Sequence, residues 1–205
     1  MTDKDRIPLL AGLGAAYGAF AATFLGPRSR FWQRMTMTGL GLGTFALLAE
    51  PELRRNRPAW KDVSLGLASA AGLYGVFQVG DRAARRIMPK GGQDIDDVYA
   101  LRQFRPPAEL AARLAFVIGP AEELFWRGFV QRRLSRRLSP WKAAAAAAAA
   151  YGGAHLVTRN PTLIGAAHVA GAYWSVLAAV GLPMPSLVVS HVAWDIWIFL
   201  LAPTA

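Results

Sequence analysis

Residues 119–129, GPAEELFWRGF, place Glu122, Glu123 and Arg127 inside a run that is otherwise apolar or small. On a water-facing helix such charges would need no explanation. Their surroundings decide the reading, and these are hydrophobic. Of the 205 residues 54% are hydrophobic and the mean hydropathy is positive, although the chain carries 23 lysines and arginines. Both facts hold together when charge is confined to short loops between long apolar segments.

Working outward from the opening stretch, apolar segments run over 7–25, 35–49 and 63–79, then from about Leu110 through the stretch itself, then over 143–157, 162–180 and 185–201. Crossing a bilayer core takes about 20 residues, within a range of about 17 to 25. The first, third and last two segments meet or approach that length. The second and fifth are short and extend into their flanks or tilt little. Only helices and closed barrels satisfy backbone polar groups in lipid, and no alternating ten-residue pattern marks a barrel. The expectation is an all-α, polytopic transmembrane bundle of about seven helices.

The stretch 87–107 is polar, with DIDD and RPP, and reads as a surface loop holding an amphipathic or re-entrant piece. It divides the chain into an N-terminal part, 1–107, of transmembrane helices and basic loops, and a C-terminal part, 108–205. The leader MTDKDR is charge-mixed, so the first segment reads as an uncleaved span rather than a secretory signal. Cysteine is absent, which excludes disulfides, thiolate metal ligands and a cysteine nucleophile.

The net charge of +10 raises the question of nucleic acid. The arginines, however, cluster beside apolar segments, as RRNR (54–57), RAARR (82–86) and RRLSRR (132–137). Membrane proteins anchor themselves in this way, and anionic headgroups attract such residues. Membrane lipid is therefore the expected partner, and nucleic acid is not. A topology with RRLSRR and RRNR inside leaves RAARR outside. The alanine run 143–150 combines the best helix former with small residues that let helices approach closely. No internal repeat is evident.

Charged groups at a membrane-helix centre cost about 2.5 to 3.5 kcal/mol each, and those retained are usually inward-facing, paired and functional. In the C-terminal part these are Glu122, Glu123, Arg127, His155, His168, His191 and Asp195. Glu123 and Arg127 stand four apart and stack as an ion pair, whereas Glu122 points about 100° away. Pro120 begins this helix or kinks it. His155 follows Tyr151 by four in YGGAH, beside two glycines that leave room for another helix or a substrate backbone. His191 and Asp195 are again four apart in SHVAWDIW, which suits a carboxylate–imidazole hydrogen bond that fixes the ring tautomer. His168 has no such companion and reads as structural or interfacial. Each signal alone is weak, but together they resist explanation as packing.

EELFWR (122–127), YGGAH (151–155) and HVAWD (191–195) resemble, in order and spacing, the three motifs of the CPBP intramembrane endopeptidases. That family includes the type II CAAX prenyl endopeptidases and bacterial relatives linked to bacteriocin processing, self-immunity and abortive infection. The resemblance covers roughly 110–201 and implies a protease core in 108–205, in a bacterial inner membrane. It implies hydrolysis of a peptide bond in a membrane-associated protein or peptide. Glu122 would activate a water with help from His155, Glu123 and Arg127 would be the supporting ion pair, and His191 and Asp195 would bind the oxyanion. Tyr151 stands where the family often has phenylalanine, and its hydroxyl needs a partner if buried. Asp195 stands where the family often has asparagine. An ionised aspartate cannot donate, so the preferred role for Asp195 is to hold His191 while the histidine donates.

The family was first described as metalloproteases, and two histidines with a glutamate suit a three-ligand zinc site. No HExxH is present, and the metal-free, glutamate-dependent reading is preferred, with no cofactor. Two other functions fit an intramembrane polar cluster: a non-catalytic immunity or partner-binding protein, and a proton- or ion-coupled transporter.

Overall fold

The computed structural model describes residues 3–55 and 58–203. Among the described residues, eight helices account for the fold. They are α1 (Asp3–Phe24), α2 (Phe31–Ala49), α3 (Trp60–Ile87), α4 (Gly91–Tyr99), α5 (107–135), α6 (Pro140–Ala154), α7 (Pro161–Ala179) and α8 (Met184–Leu201). Seven correspond to the apolar segments, and α4 is the amphipathic piece expected within 87–107. Stretches in α1, α3, α7 and α8 are long and apolar enough to cross a membrane. These are the four segments whose length marks them in the sequence. The chain is an all-α membrane helical bundle.

The helices begin and end where their residues require. Pro107, Pro140 and Pro161 lie in first turns, where a missing N–H costs nothing and the fixed φ is already helical. Asn160 caps α7 by accepting from the Leu163 N–H at 2.7 Å. Gly181, at φ 91°, ends the same helix, a left-handed position suited to glycine. Pro120 does not begin a helix, because α5 already starts at Pro107. It follows directly on a π-helical turn, Leu114–Ile118, in which the Gly119 N–H reaches back to the Leu114 carbonyl. The widened turn accommodates the proline ring inside a continuous helix. A second π-helical stretch, Leu124–Gln131, follows the two glutamates, and such turns often occur at functional sites.

α3 runs past the expected 63–79 because RAARR continues the helix, with Arg85 paired to Asp81 at 3.1 Å and to Asp96 of α4 at 3.4 Å. Arg54 and Arg55 of RRNR lie in a short turn, Pro51–Arg55, and the rest of that cluster falls outside the described residues. RRLSRR is only partly an anchor. Arg133 reaches Glu50 at 2.7 Å, Arg136 reaches it at 2.7 Å, and Arg132 contacts Glu52. Glu50 is buried at the end of α2, so these arginines compensate a carboxylate inside the protein.

Two apolar clusters hold the bundle. One joins α1, α2, α5 and α6 around Phe20, Phe125, Trp126 and Phe129. The other joins α3, α7 and α8 around Leu73, Trp174 and Leu187. α3 and α8 approach closely at Gly66, where an added methyl would come 2.6 Å from Val189 and 2.8 Å from the Ser186 carbonyl. A backbone oxygen cannot yield as a flexible side chain can. Gly66→Ala is therefore expected to destabilise the bundle by about 1–3 kcal/mol, read as a lower thermal midpoint in detergent. An unchanged midpoint would show that the two helices are not packed at this distance.

Candidate active site

The charged residues of 119–129 lie inside the bundle. Glu123 is fully buried, and Glu122 and Arg127 are nearly so. A buried charge is costly unless it is paired and hydrogen-bonded, and Arg127 is held through both terminal nitrogens although its Nε makes no hydrogen bond within the described residues. Its Nη1 donates to Glu123 Oε1 at 2.9 Å and its Nη2 to the Gly171 carbonyl of α7 at 2.9 Å. The guanidinium carbon lies 5.1 Å from the Tyr151 ring centre and 5.4 Å from that of Trp174, a cation–π arrangement with both. Gly171 permits this approach, since a methyl there would meet Tyr151 at 2.8 Å.

Glu123 has a second partner. His191, on α8, places Nδ1 2.8 Å from the same Oε1. An ionised carboxylate only accepts, so Nδ1 carries the proton and donates. Nε2 lies 3.7 Å from Asp195 Oδ2, beyond hydrogen-bond reach. The expected Asp195 bond to His191 is therefore not made, and Glu123 orients the ring in its place. The spacing of four brings the two groups onto one face, but the stronger acceptor comes from another helix.

Glu122 points away from this pair, as the 100° step anticipates. Its Oε2 is buried and makes no hydrogen bond within the described residues. The Tyr151 hydroxyl, the group expected to need a partner, lies beside the Glu122 carboxylate. His155 closes α6, with Nδ1 3.0 Å from the Tyr151 carbonyl, so that Nδ1 donates. Its ring packs 5.0 Å from Tyr151, 5.2 Å from Phe20 and 5.7 Å from Phe24. The room left by the two glycines before it is taken by other helices rather than left for a substrate backbone. Gly152 is covered by the His168 ring and Gly153 by the Tyr17 hydroxyl. His168 itself is exposed and bonds the Ile164 carbonyl at 2.8 Å.

A cavity of about 620 Å³ opens onto this constellation. Glu122, Tyr151, His191 and Asp195 contribute to its lining together with Asp81, Asp94 and Thr162, while residues such as Phe24, Phe77, Val98 and Val169 make most of it apolar. Size and lining are those of a ligand site with a few placed polar groups. His155 is not among the lining residues and is connected through the Tyr151 ring. Trp174, for which the sequence carries no spacing signal, stacks on His191 with ring centres 3.9 Å apart and planes at 17°.

A zinc site would need Glu122, His155 and His191 to converge. They do not fit that role here. His191 Nδ1 is turned to Glu123, His155 stands outside the cavity wall, and among the described residues no three histidine, aspartate or glutamate side chains group as metal ligands.

Residues 105–197 match the family model described as type II CAAX prenyl endopeptidase Rce1-like. The matched span contains all three motifs and supports the CPBP resemblance. No curated protein and no solved structure matches the chain.

Proposed function

We propose that this chain, whose residues 105–197 belong to the type II CAAX prenyl endopeptidase Rce1-like family, hydrolyses a membrane-associated peptide or protein by a glutamate-activated water. The family implies a peptidase of the membrane. One observation carries the finer reading: Glu122, with an oxygen unbonded within the described residues, lines the same cavity as His191 and Asp195.

In the proposed reaction Glu122 takes a proton from water as the oxygen attacks the scissile carbonyl carbon. The carbonyl π electrons move onto oxygen. His191, carrying both ring protons, keeps Nδ1–H on Glu123 and donates from Nε2 to the oxyanion, with Asp195 alongside. The intermediate collapses, the C–N bond breaks, and Glu122 returns its proton to the leaving amine. His155 helps indirectly by supporting the Tyr151 ring, whose hydroxyl lies at Glu122. Glu123 and Arg127 hold His191 from behind. The largely apolar lining of the cavity suits the membrane-embedded part of a substrate. The protein would act in a bacterial inner membrane, as the bacterial branch of the family implies.

The test is reconstitution in liposomes with a library of membrane-anchored peptides. Wild type, Glu122→Ala and His155→Ala are compared, with and without a chelator. Wild-type cleavage is expected to be lost in both variants and to persist with chelator. Cleavage that survives both substitutions refutes the assignment. Cleavage abolished by chelator and restored by zinc replaces the metal-free mechanism with a metal-dependent one.

A further inference from the structure

We propose that Trp174 is a positioning residue that fixes the ring plane of His191; this rests on the role just proposed for that histidine. One hydrogen bond, from Nδ1 to Glu123, cannot orient the ring by itself. The second side-chain torsion of histidine is soft, and a ring held only at Nδ1 can swing its Nε2 about that bond. Trp174 removes this freedom. Its indole lies against the imidazole face at 3.9 Å and 17°, so the ring cannot rotate without displacing a fully buried tryptophan.

The indole is itself held in register. Its Nε1–H donates to Ser190 Oγ at 3.0 Å, and Ser190 Oγ in turn donates to Ser69 Oγ at 3.0 Å. This chain crosses from α7 through α8 to α3, so three helices set the angle of one ring. Tyr173 steadies the far end by donating to the Ser69 carbonyl at 2.8 Å. Trp194 meets the indole edge-on at 5.6 Å. Trp174 is not part of the cavity wall. It therefore touches His191 and not the substrate, and its loss would act on turnover rather than on binding.

Two readouts test this, one independent of activity. In proteoliposomes, Trp174→Leu removes the flat face and is expected to lower kcat by about 10- to 100-fold with little change in KM. Trp174→Phe keeps a flat ring but loses the N–H that ties it to Ser190, so it is expected to lower kcat less than Trp174→Leu. Ser190→Ala, which leaves both rings and cuts the tether, is likewise expected to lower kcat less than Trp174→Leu, and it carries the test if Trp174→Leu fails to fold. In parallel, nitrogen-15 NMR of histidine-labelled protein in detergent reads the ring directly. There are three histidines, and the His191 signal is assigned by its loss in His191→Gln. The Nδ1–H signal of His191 should be sharp in wild type, broadened or shifted in Trp174→Leu, and perturbed to a lesser degree in Trp174→Phe and Ser190→Ala. An unperturbed His191 signal in Trp174→Leu and Ser190→Ala overturns the proposal, as does equal loss of kcat in Trp174→Phe and Trp174→Leu. If wild type cleaves nothing, the protease reading fails, while the NMR comparison still decides the role of Trp174.

Discussion

Glu122→Gln is expected to lower peptide cleavage by about 10²–10⁴-fold while leaving the protein at least as stable as wild type. Glutamine has the shape of glutamate and can still contact the Tyr151 hydroxyl, so packing around α5 is preserved. It cannot take a proton from water, and the attacking hydroxide is then not generated. Stability should not suffer, because Glu122 Oε2 is buried with no hydrogen bond within the described residues. Such a group is retained at a cost, as functional groups often are. Cleavage rates in proteoliposomes and thermal midpoints in detergent check the two halves separately. Wild-type turnover in the variant would remove Glu122 from the chemistry. A collapsed midpoint would mean that the residue is structural.

The second large effect concerns stability. Arg127→Met is expected to cost about 3–5 kcal/mol, the usual penalty for removing one member of a buried ion pair. The substitution strips Glu123 of its cation and the Gly171 carbonyl of its donor, and it empties the space between the Tyr151 and Trp174 rings of charge. The double variant Glu123→Leu/Arg127→Met should recover most of that loss, since an apolar pair of similar volume replaces charges that must otherwise be desolvated. It should not recover cleavage, because His191 loses the carboxylate that orders its Nδ1. Unfolding midpoints of the single and double variants, set beside their activities, read this directly. A double variant as unstable as Arg127→Met would show that the pair holds the helices together by more than mutual compensation.

Stability and activity are expected to separate in this way because the two glutamates, adjacent in sequence, face different surroundings. Glu123 is turned into the contact between α5, α7 and α8, where it is bonded twice through one oxygen. Glu122 is turned to the cavity. The 100° step between neighbouring helix positions is enough to divide the roles.

Much of this was legible along the chain. The long apolar segments marked α1, α3, α7 and α8 by length alone, since a bilayer sets a minimum that soluble helices need not meet. The amphipathic α4 was legible in the polar stretch 87–107. The Glu123–Arg127 pair was legible because a spacing of four brings two side chains together whatever else the helix touches. The same rule misled at His191 and Asp195. It names the nearest partner on the same helix, and it says nothing of an acceptor 68 positions away that reaches in from α5. The glycines beside His155 leave room for another helix or a substrate backbone, and which of the two fills it is decided by packing: His168 and Tyr17 enter from other helices.

By itself the sequence determined that the chain is a helical membrane bundle, which residues carry charge into it, and which of them share a helix face. Those are consequences of composition and of a 3.6-residue period, both local properties. Only the tertiary structure decided that Glu123, not Asp195, holds His191, that Tyr151 stands between His155 and Glu122, and that Trp174 braces the histidine ring. Each of those contacts joins separate helices. It therefore depends on how helices pack, through the small residues at Gly66 and Gly171 and the buried arginine that ties α5 to α7, and no spacing within one helix encodes it.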